Sequence, residues 1–241
     1  MKQWIYGRNT VRELLRNNKN ISELVFLKGS RNDDLIMLAK KIKIKYRVSE
    51  DKKEFNTLTS GGNHQGVIAV IESYGYSTIE QMLEKIHDKY PLLVMLDGLE
   101  DPHNLGAILR TCDAMNVDGV IIGKNRSVGL TSTVAKVSTG AIDYVKVAQV
   151  TNLARCLEDL KKQGFWIVGC ENEESEDYRC IDFNMPVVVV IGSEGSGISR
   201  LVKSKCDFKV VLPMKGHVNS LNASVAAGVL LYQVYNSRHP L

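Results

Sequence analysis

A chain of 241 residues, 44% hydrophobic and 24% charged, is long enough for one large domain or two smaller ones with cores of their own. No window approaches eighteen consecutive apolar residues, which excludes a membrane-spanning helix, and the opening MKQWIYGRNTVRELL has no apolar core of signal-peptide type. The five cysteines (112, 156, 170, 180 and 206) are odd in number and lack C-x-x-C spacing, and the five histidines form no H-x-x-x-H pair, so a disulfide framework and a metal site are both disfavoured and a reducing cytosol is expected.

The net charge of +4 is unevenly placed. Residues 1–75 hold 14 Lys/Arg against 8 Asp/Glu, a net of +6; residues 76–241 hold 17 against 19, a net of −2. A basic module beside a near-neutral one suits a protein that grips a polyanion. Arg8, Arg12, Lys40, Lys41 and Arg47 are the candidate grips, though each taken singly reads more simply as a solvated charge.

In chain order, Thr10 and Glu13 have capping-box spacing ahead of an apolar-periodic helix. SELVFLK (22–28) is strand-like, DDLIMLAKKIKIKY (33–46) is helical, and GVIAVIESY (66–74) is a buried strand after a glycine-rich turn. Residues 1–74 therefore read as a small α/β unit. Residues 75–90 follow as a linker and connecting helix, IEQMLEKIHDKY, ending before Pro91. From 91 to 241 short apolar strands alternate with helices: LLVML, LGAILRTCDAM, GVII, TNLARCLEDLKKQG with Thr151 as expected N-cap, FWIVGC, VVVVIG, and a last helix ASVAAGVLLYQVY. Continuous apolar strands separated by helices predict a parallel sheet covered on both faces.

Three loops follow apolar strands, where ligands bind in open α/β sheets. The first, LDGLEDPHNLGAILRTCDA, carries Asn104 where a helix starts and Arg110 inside it. Asn104 reads either as an N-cap or as a site residue, and Arg110 as either a snorkelling surface cation or a partner converging from the loop. The second, VVVVIGSEGSGISRL, runs a strand into G-x-x-G-x-G rather than the G-x-G-x-x-G of dinucleotide sites, and Glu194 at its centre would repel a phosphate. The third, LPMKGHVNSLNAS, crowds Asn219, Ser220, Asn222 and Ser224 at a helix entrance; one of Ser220 or Asn222 is a plausible cap, and the remainder cannot all be caps.

Taken in order, N-x-G-x-x-x-R, I-G-x-E-G-x-G and L-P-M-x-G-x-x-x-S-L-N-x-S-x-A resemble the motifs of the SpoU/TrmH family of RNA ribose 2′-O-methyltransferases, in the SPOUT superfamily. The N-terminal stretch from YGRNTVRELL to HQGVIAV looks like the L30e-like substrate-binding domain of its rRNA-modifying branch. The resemblance implies a trefoil-knotted parallel-sheet catalytic domain (91–241) behind an L30e-like RNA-binding domain (1–74), an S-adenosyl-L-methionine cofactor, no metal, and a homodimer with its site near the interface. It implies catalytic or positioning roles for Asn104, Arg110, Glu194, Ser220 and Asn222, and cofactor-lining roles for Gly192, Leu212 and Leu221. The implied reaction is 2′-O-methylation of a ribose, a guanosine of 23S rRNA first, with a tRNA ribose as the alternative. The family assigns Arg110 to the 2′-hydroxyl as a proposed base, but a guanidinium hardly deprotonates in proteins. Orientation and charge stabilisation are the roles expected of it. A nicotinamide dehydrogenase lacks its fingerprint here, and an RNA-binding protein without catalysis would not need these polar loop positions.

Overall fold

The structure is a computed structural model that describes residues 2–16, 21–72, 74–84, 86, 88–171, 175–217 and 220–240. It divides into two compact units, Met1–Tyr74 and Gly75–Leu241. Asn219 of the third loop, and Lys85 and His87 of the expected connecting helix, lie outside the described residues.

The first unit runs β1 (Lys2–Tyr6), α1 (Arg8–Arg16), β2 (Ile21–Leu27), α2 (Asp33–Lys41), β3 (Tyr46–Ser49), α3 (Lys52–Leu58) and β4 (Val67–Glu72). Its sheet order is β1-β4-β2-β3, with β4 antiparallel to both neighbours and β3 parallel to β2. Alternation along β2 and β4 explains why both strands read as continuous apolar runs. Leu24, Phe26, Val67, Ala69 and Ile71 meet α1 and α2 on one face; Val25, Ile68 and Val70 meet Phe55 of α3 on the other. Two expectations need correction. The first helix opens at Arg8, after Gly7 at φ +98°, so Thr10 lies inside its first turn and is not its cap. The helix expected over 33–46 ends at Lys41, because Lys43 is left-handed (φ +58°) and the chain reverses into β3.

The second unit opens with α4 (Ile79–Leu83), whose Thr78 and Gln81 form a capping box. It continues β5 (Leu92–Leu96), α5 (Pro102–Ala114), β6 (Gly119–Gly123), α6 (Ser132–Val137), β7 (Val147–Val150), α7 (Leu153–Lys162), β8 (Trp166–Cys170), β9 (Glu176–Asp177), β10 (Val187–Ile191), α8 (Arg200–Lys203), β11 (Phe208–Val211) and α9 (Ala223–Arg238). The sheet order is β7-β6-β5-β10-β8-β11-β9, and every described pairing is parallel. Helices α4, α7 and α8 cover one face through Met82, Leu157, Leu160 and Val202; α5, α6 and α9 pack together on the other. Asn152 rather than Thr151 caps α7, accepting from Arg155 N at 3.0 Å.

Strand order reverses between β5 and β10. The chain winds outward from β5 through β6 to β7, then returns to place β10 on β5's other side. Such a switch point opens a crevice beyond the carboxyl ends of the two strands. It is pinned by Asp97, whose N–H donates to Ile191 O at 2.9 Å and whose carboxylate accepts from Ser199 N at 2.7 Å. After β10 the chain crosses β8 to form β11, then crosses back so that α9 packs on α5 and β10. The expected knot would involve this return loop, 212–222, of which Val218 and Asn219 lie outside the described residues.

Candidate active site

The loops after β5, β10 and β11 meet at one carboxylate. Glu194 Oε1 accepts from Asn104 Nδ2 at 2.8 Å, from Asn222 Nδ2 at 2.6 Å and from Ala223 N at 3.4 Å. Asn222 Nδ2 also donates to Asn104 Oδ1 at 2.9 Å, closing a ring of three side chains separated by up to 118 residues in sequence.

Local structure dictates each position. Asp101 caps α5, accepting from His103 N at 2.8 Å, and Pro102 occupies the first turn. Asn104 is therefore a helical residue and not the N-cap that its place in the sequence allowed. Freed from capping and 7% exposed, it turns its amide to Glu194. Asn222 is the cap of α9: its Oδ1 accepts from Ser224 N at 2.9 Å and Val225 N at 3.4 Å. That fixes the orientation of the amide, since an Oδ1 committed to the helix leaves Nδ2 to face Glu194. Of the crowded polar side chains at this entrance, one caps and also builds the cluster. Ser224 Oγ donates back to the same Asn222 oxygen.

Arg110 is not brought to the cluster. Six residues beyond Asn104 on a regular helix, it lies roughly 120° around and about 9 Å along the axis. It is exposed, and among the described residues it makes no hydrogen bond or ion pair. Convergence from a loop is unavailable because Asn104 is itself helical. Gly106 of the same motif serves packing: a methyl there would come 2.6 Å from Val137 Cβ and 3.1 Å from Val134 O, so α5 and α6 touch at this point.

A pocket of about 710 Å³ lies beside the cluster. Gly192, Leu212 and Leu221 line it, as do Glu194 and Ser220, while Asn104, Asn222 and Arg110 stand outside its lining. Ser220 is exposed and makes no hydrogen bond among the described residues. The loop wall is held by Ser193 N to Gly197 O at 3.1 Å and Gly197 N to Ser193 O at 2.9 Å. Among the described residues the lining includes no Lys or Arg but two carboxylates, Glu194 and Glu171. Cys170 and Glu171, at the end of β8, went unassigned in the sequence reading. FWIVGC is an apolar strand like the others, and the strand-end rule applied there would have found them. Burial pushes the Cys170 thiol up to about 11, which leaves it a protonated wall rather than a nucleophile.

In the first unit, Arg8 and Arg12 both bind Asp34, at 2.8 and 2.7 Å, and the Arg12 guanidinium leads in holding that carboxyl down to about 2. Arg47 is bonded to Glu54 and lies 3.7 Å from Glu23. Of the five candidate grips, Lys40 and Lys41 alone are exposed without an ion pair among the described residues.

The SpoU rRNA methylase family profile matches residues 91–232, and that for RNA 2′-O ribose methyltransferase substrate binding matches residues 4–77. The AdoMet-bound rRNA methyltransferase of Sinorhizobium meliloti superposes with TM-score 0.66 at 25% identity, over 100% of this chain and 88% of that one. The A. aeolicus TrmH/SpoU tRNA modifying enzyme superposes with TM-score 0.57 at 32% identity, over 63% of this chain and 78% of that one. The fold is that of a SPOUT-type RNA methyltransferase. Sequence relatives described as TrmH family tRNA/rRNA methyltransferases match end to end. One from Staphylococcus haemolyticus is 49% identical over 98% of this chain and 96% of its own length; one from Bacillus subtilis is 47% identical over 99% and 97%. The chain belongs to the SpoU/TrmH family of RNA methyltransferases.

Proposed function

We propose that the chain methylates a ribose 2′-hydroxyl in RNA, using S-adenosyl-L-methionine, with a guanosine of 23S rRNA as the target. The observation that carries this is the Asn104–Glu194–Asn222 cluster standing beside a glycine-walled pocket at the β5/β10 switch point. The pocket fits the cofactor. Glu194 at its mouth and the lack of a lining Lys or Arg among the described residues suit a ligand with a sulfonium and an ammonium, and would repel a nucleotide's phosphates. Gly192 lets the loop fold closely onto Gly197 and Ile198 to form one wall, and Leu212 and Leu221 supply apolar walls.

S-adenosyl-L-methionine, when bound, supplies a methyl group on a sulfonium, whose transfer discharges a cation and needs no metal. The chain's part is to hold the hydroxyl in line and to manage its proton. Glu194, fixed by two amides and the first N–H of α9, is held in one orientation at the pocket mouth, and Ser220 sits on the same rim as an RNA contact. Arg110 is assigned to orient the hydroxyl and stabilise charge. Its distance from the cluster within one chain is met by a homodimer that brings a second copy's α5 to the site. An exposed apolar stripe on α9 suits that contact: Val225, Tyr232 and Tyr235 are 50%, 52% and 45% exposed at helical spacing. The first unit grips the RNA, with Lys40 and Lys41 as the two candidate grips that carry no ion pair among the described residues. A tRNA target is the second reading, favoured by the likeness of the catalytic unit to a tRNA modifying enzyme.

Ribose methylation mapped across rRNA and tRNA in a deletion strain tests the target. Loss of one 23S rRNA mark is expected; unchanged rRNA with one lost tRNA mark would transfer the assignment to tRNA. Arg110→Lys is expected to lower turnover at least about tenfold, because an ammonium cannot reproduce a planar fork of donors. Near-normal turnover in a single-turnover methyl-transfer assay would remove the guanidinium from the mechanism.

A further inference from the structure

We infer that Glu171 is a cofactor-binding residue that accepts hydrogen bonds from the ribose hydroxyls of the bound nucleoside. The inference rests on the methyl-donor reading above and adds to it the recognition of one part of the ligand. Glu171 follows β8 directly, its backbone N–H tied to Val210 O at 2.9 Å, and it lines the pocket. Its side chain is 15% exposed. Both carboxylate oxygens reach over the bare α-carbon of Gly197, standing 3.4 and 3.5 Å from where a methyl would project. Gly197 is left-handed, at φ +64°, so a side chain there would be both strained and set against this carboxylate.

The chemistry selects the ligand group. An ionised carboxylate only accepts, so of the nucleoside's groups it can take the ribose hydroxyls or the adenine 6-amino group but not the purine ring nitrogens, which are acceptors too. Lys203 Nζ lies 3.4 Å from Glu171 Oε2, so the negative charge already has a counterion. A ligand cation placed there would face that ammonium. A carboxylate offers about four lone-pair sites and can accept from several donors at once, and its two adjacent oxygens match two vicinal hydroxyls. The same pairing of an acidic side chain with a ribose hydroxyl serves dinucleotide sites on other parallel sheets. Glu194 differs: its Oε1 accepts from the Asn104 and Asn222 amides and from Ala223 N at the start of α9. Two carboxylates in one pocket thus divide the work, one holding the cofactor's sugar and the other the reacting end.

Calorimetric titration of the full chain and of E171A and E171Q with S-adenosylhomocysteine, and with its 2′-deoxy and 3′-deoxy analogues, tests this. The wild-type chain is expected to bind the parent ligand and to lose about tenfold or more on at least one deoxy analogue, as a hydrogen bond to a charged group implies. E171A is expected to bind the parent about tenfold or more weakly and to lose little further on that same analogue. E171Q, nearly identical in shape, is expected to fall between and to report on folding. Equal losses on the deoxy analogues in wild-type and E171A chains overturn the assignment, as does undiminished affinity of E171A for the parent. A wild-type chain that does not bind S-adenosylhomocysteine overturns the methyl-donor reading and this assignment with it.

Discussion

Gly192→Ala is expected to lower affinity for S-adenosyl-L-methionine at least tenfold while the first unit stays folded. A Cβ on Gly192 would lie 2.1 Å from Gly197 C, 2.3 Å from Gly197 O and 2.4 Å from Ile198 N. All three are backbone atoms, so no rotamer can relieve the contact. Overpacking that side chains can absorb costs about 1–3 kcal/mol. Here the loop must open instead, breaking the paired bonds between Ser193 and Gly197 that shape the pocket wall. Titration of cofactor into the variant, with circular dichroism as a check on folding, measures the effect. Binding within about threefold of wild type would show that the wall is softer than its geometry implies.

Glu194→Ala is expected to reduce methyl transfer about 10²-fold with little loss of stability. Removal of the carboxylate takes the acceptor from Asn104 Nδ2, Asn222 Nδ2 and Ala223 N, of which Asn222 Nδ2 keeps its bond to Asn104 Oδ1. A buried donor left unpaired costs about 1–3 kcal/mol, but Glu194 is exposed and water can take its place. The stability cost therefore stays small, about 1 kcal/mol. Catalysis is less forgiving, because a misplacement of about 1 Å at the reacting groups can cost 10²-fold. Glu194→Gln keeps an acceptor oxygen without the charge and is expected to fall between the two. Single-turnover rates with melting curves separate these effects; an alanine variant retaining a third of wild-type turnover would exclude Glu194 from the chemistry.

The buried strands of the second unit were the most legible part of the sequence. LLVML, GVII and VVVVIG became β5, β6 and β10 within a residue, since a strand covered on both faces must be apolar throughout. The short elements were not legible. YRVS (β3) has one buried residue and KKEFNTL (α3) one, so neither shows a period. Caps slipped by one to three residues at Asn152 and Asp101, because neighbouring Thr, Asn and Asp compete for the position and tertiary packing decides. In the site, residue types and spacing marked the three loops, but not their division of labour. No pattern in the sequence says that Asn104 lies in a helix facing Glu194 while Arg110, on the same helix, faces away.

Asn222 limits what this chain can become. As a helix cap alone, its position would accept Asp, Ser or Thr about as well. As a member of the ring it must accept two helix N–H groups with one end and donate to Glu194 and Asn104 with the other. An Asp would keep the cap and set carboxylate against carboxylate; a Ser or Thr is too short to do both. One side chain thus ties the start of the last helix to the chemistry, so no substitution there can be neutral for function merely because the helix still folds. The position has a single occupant where folding alone would permit four.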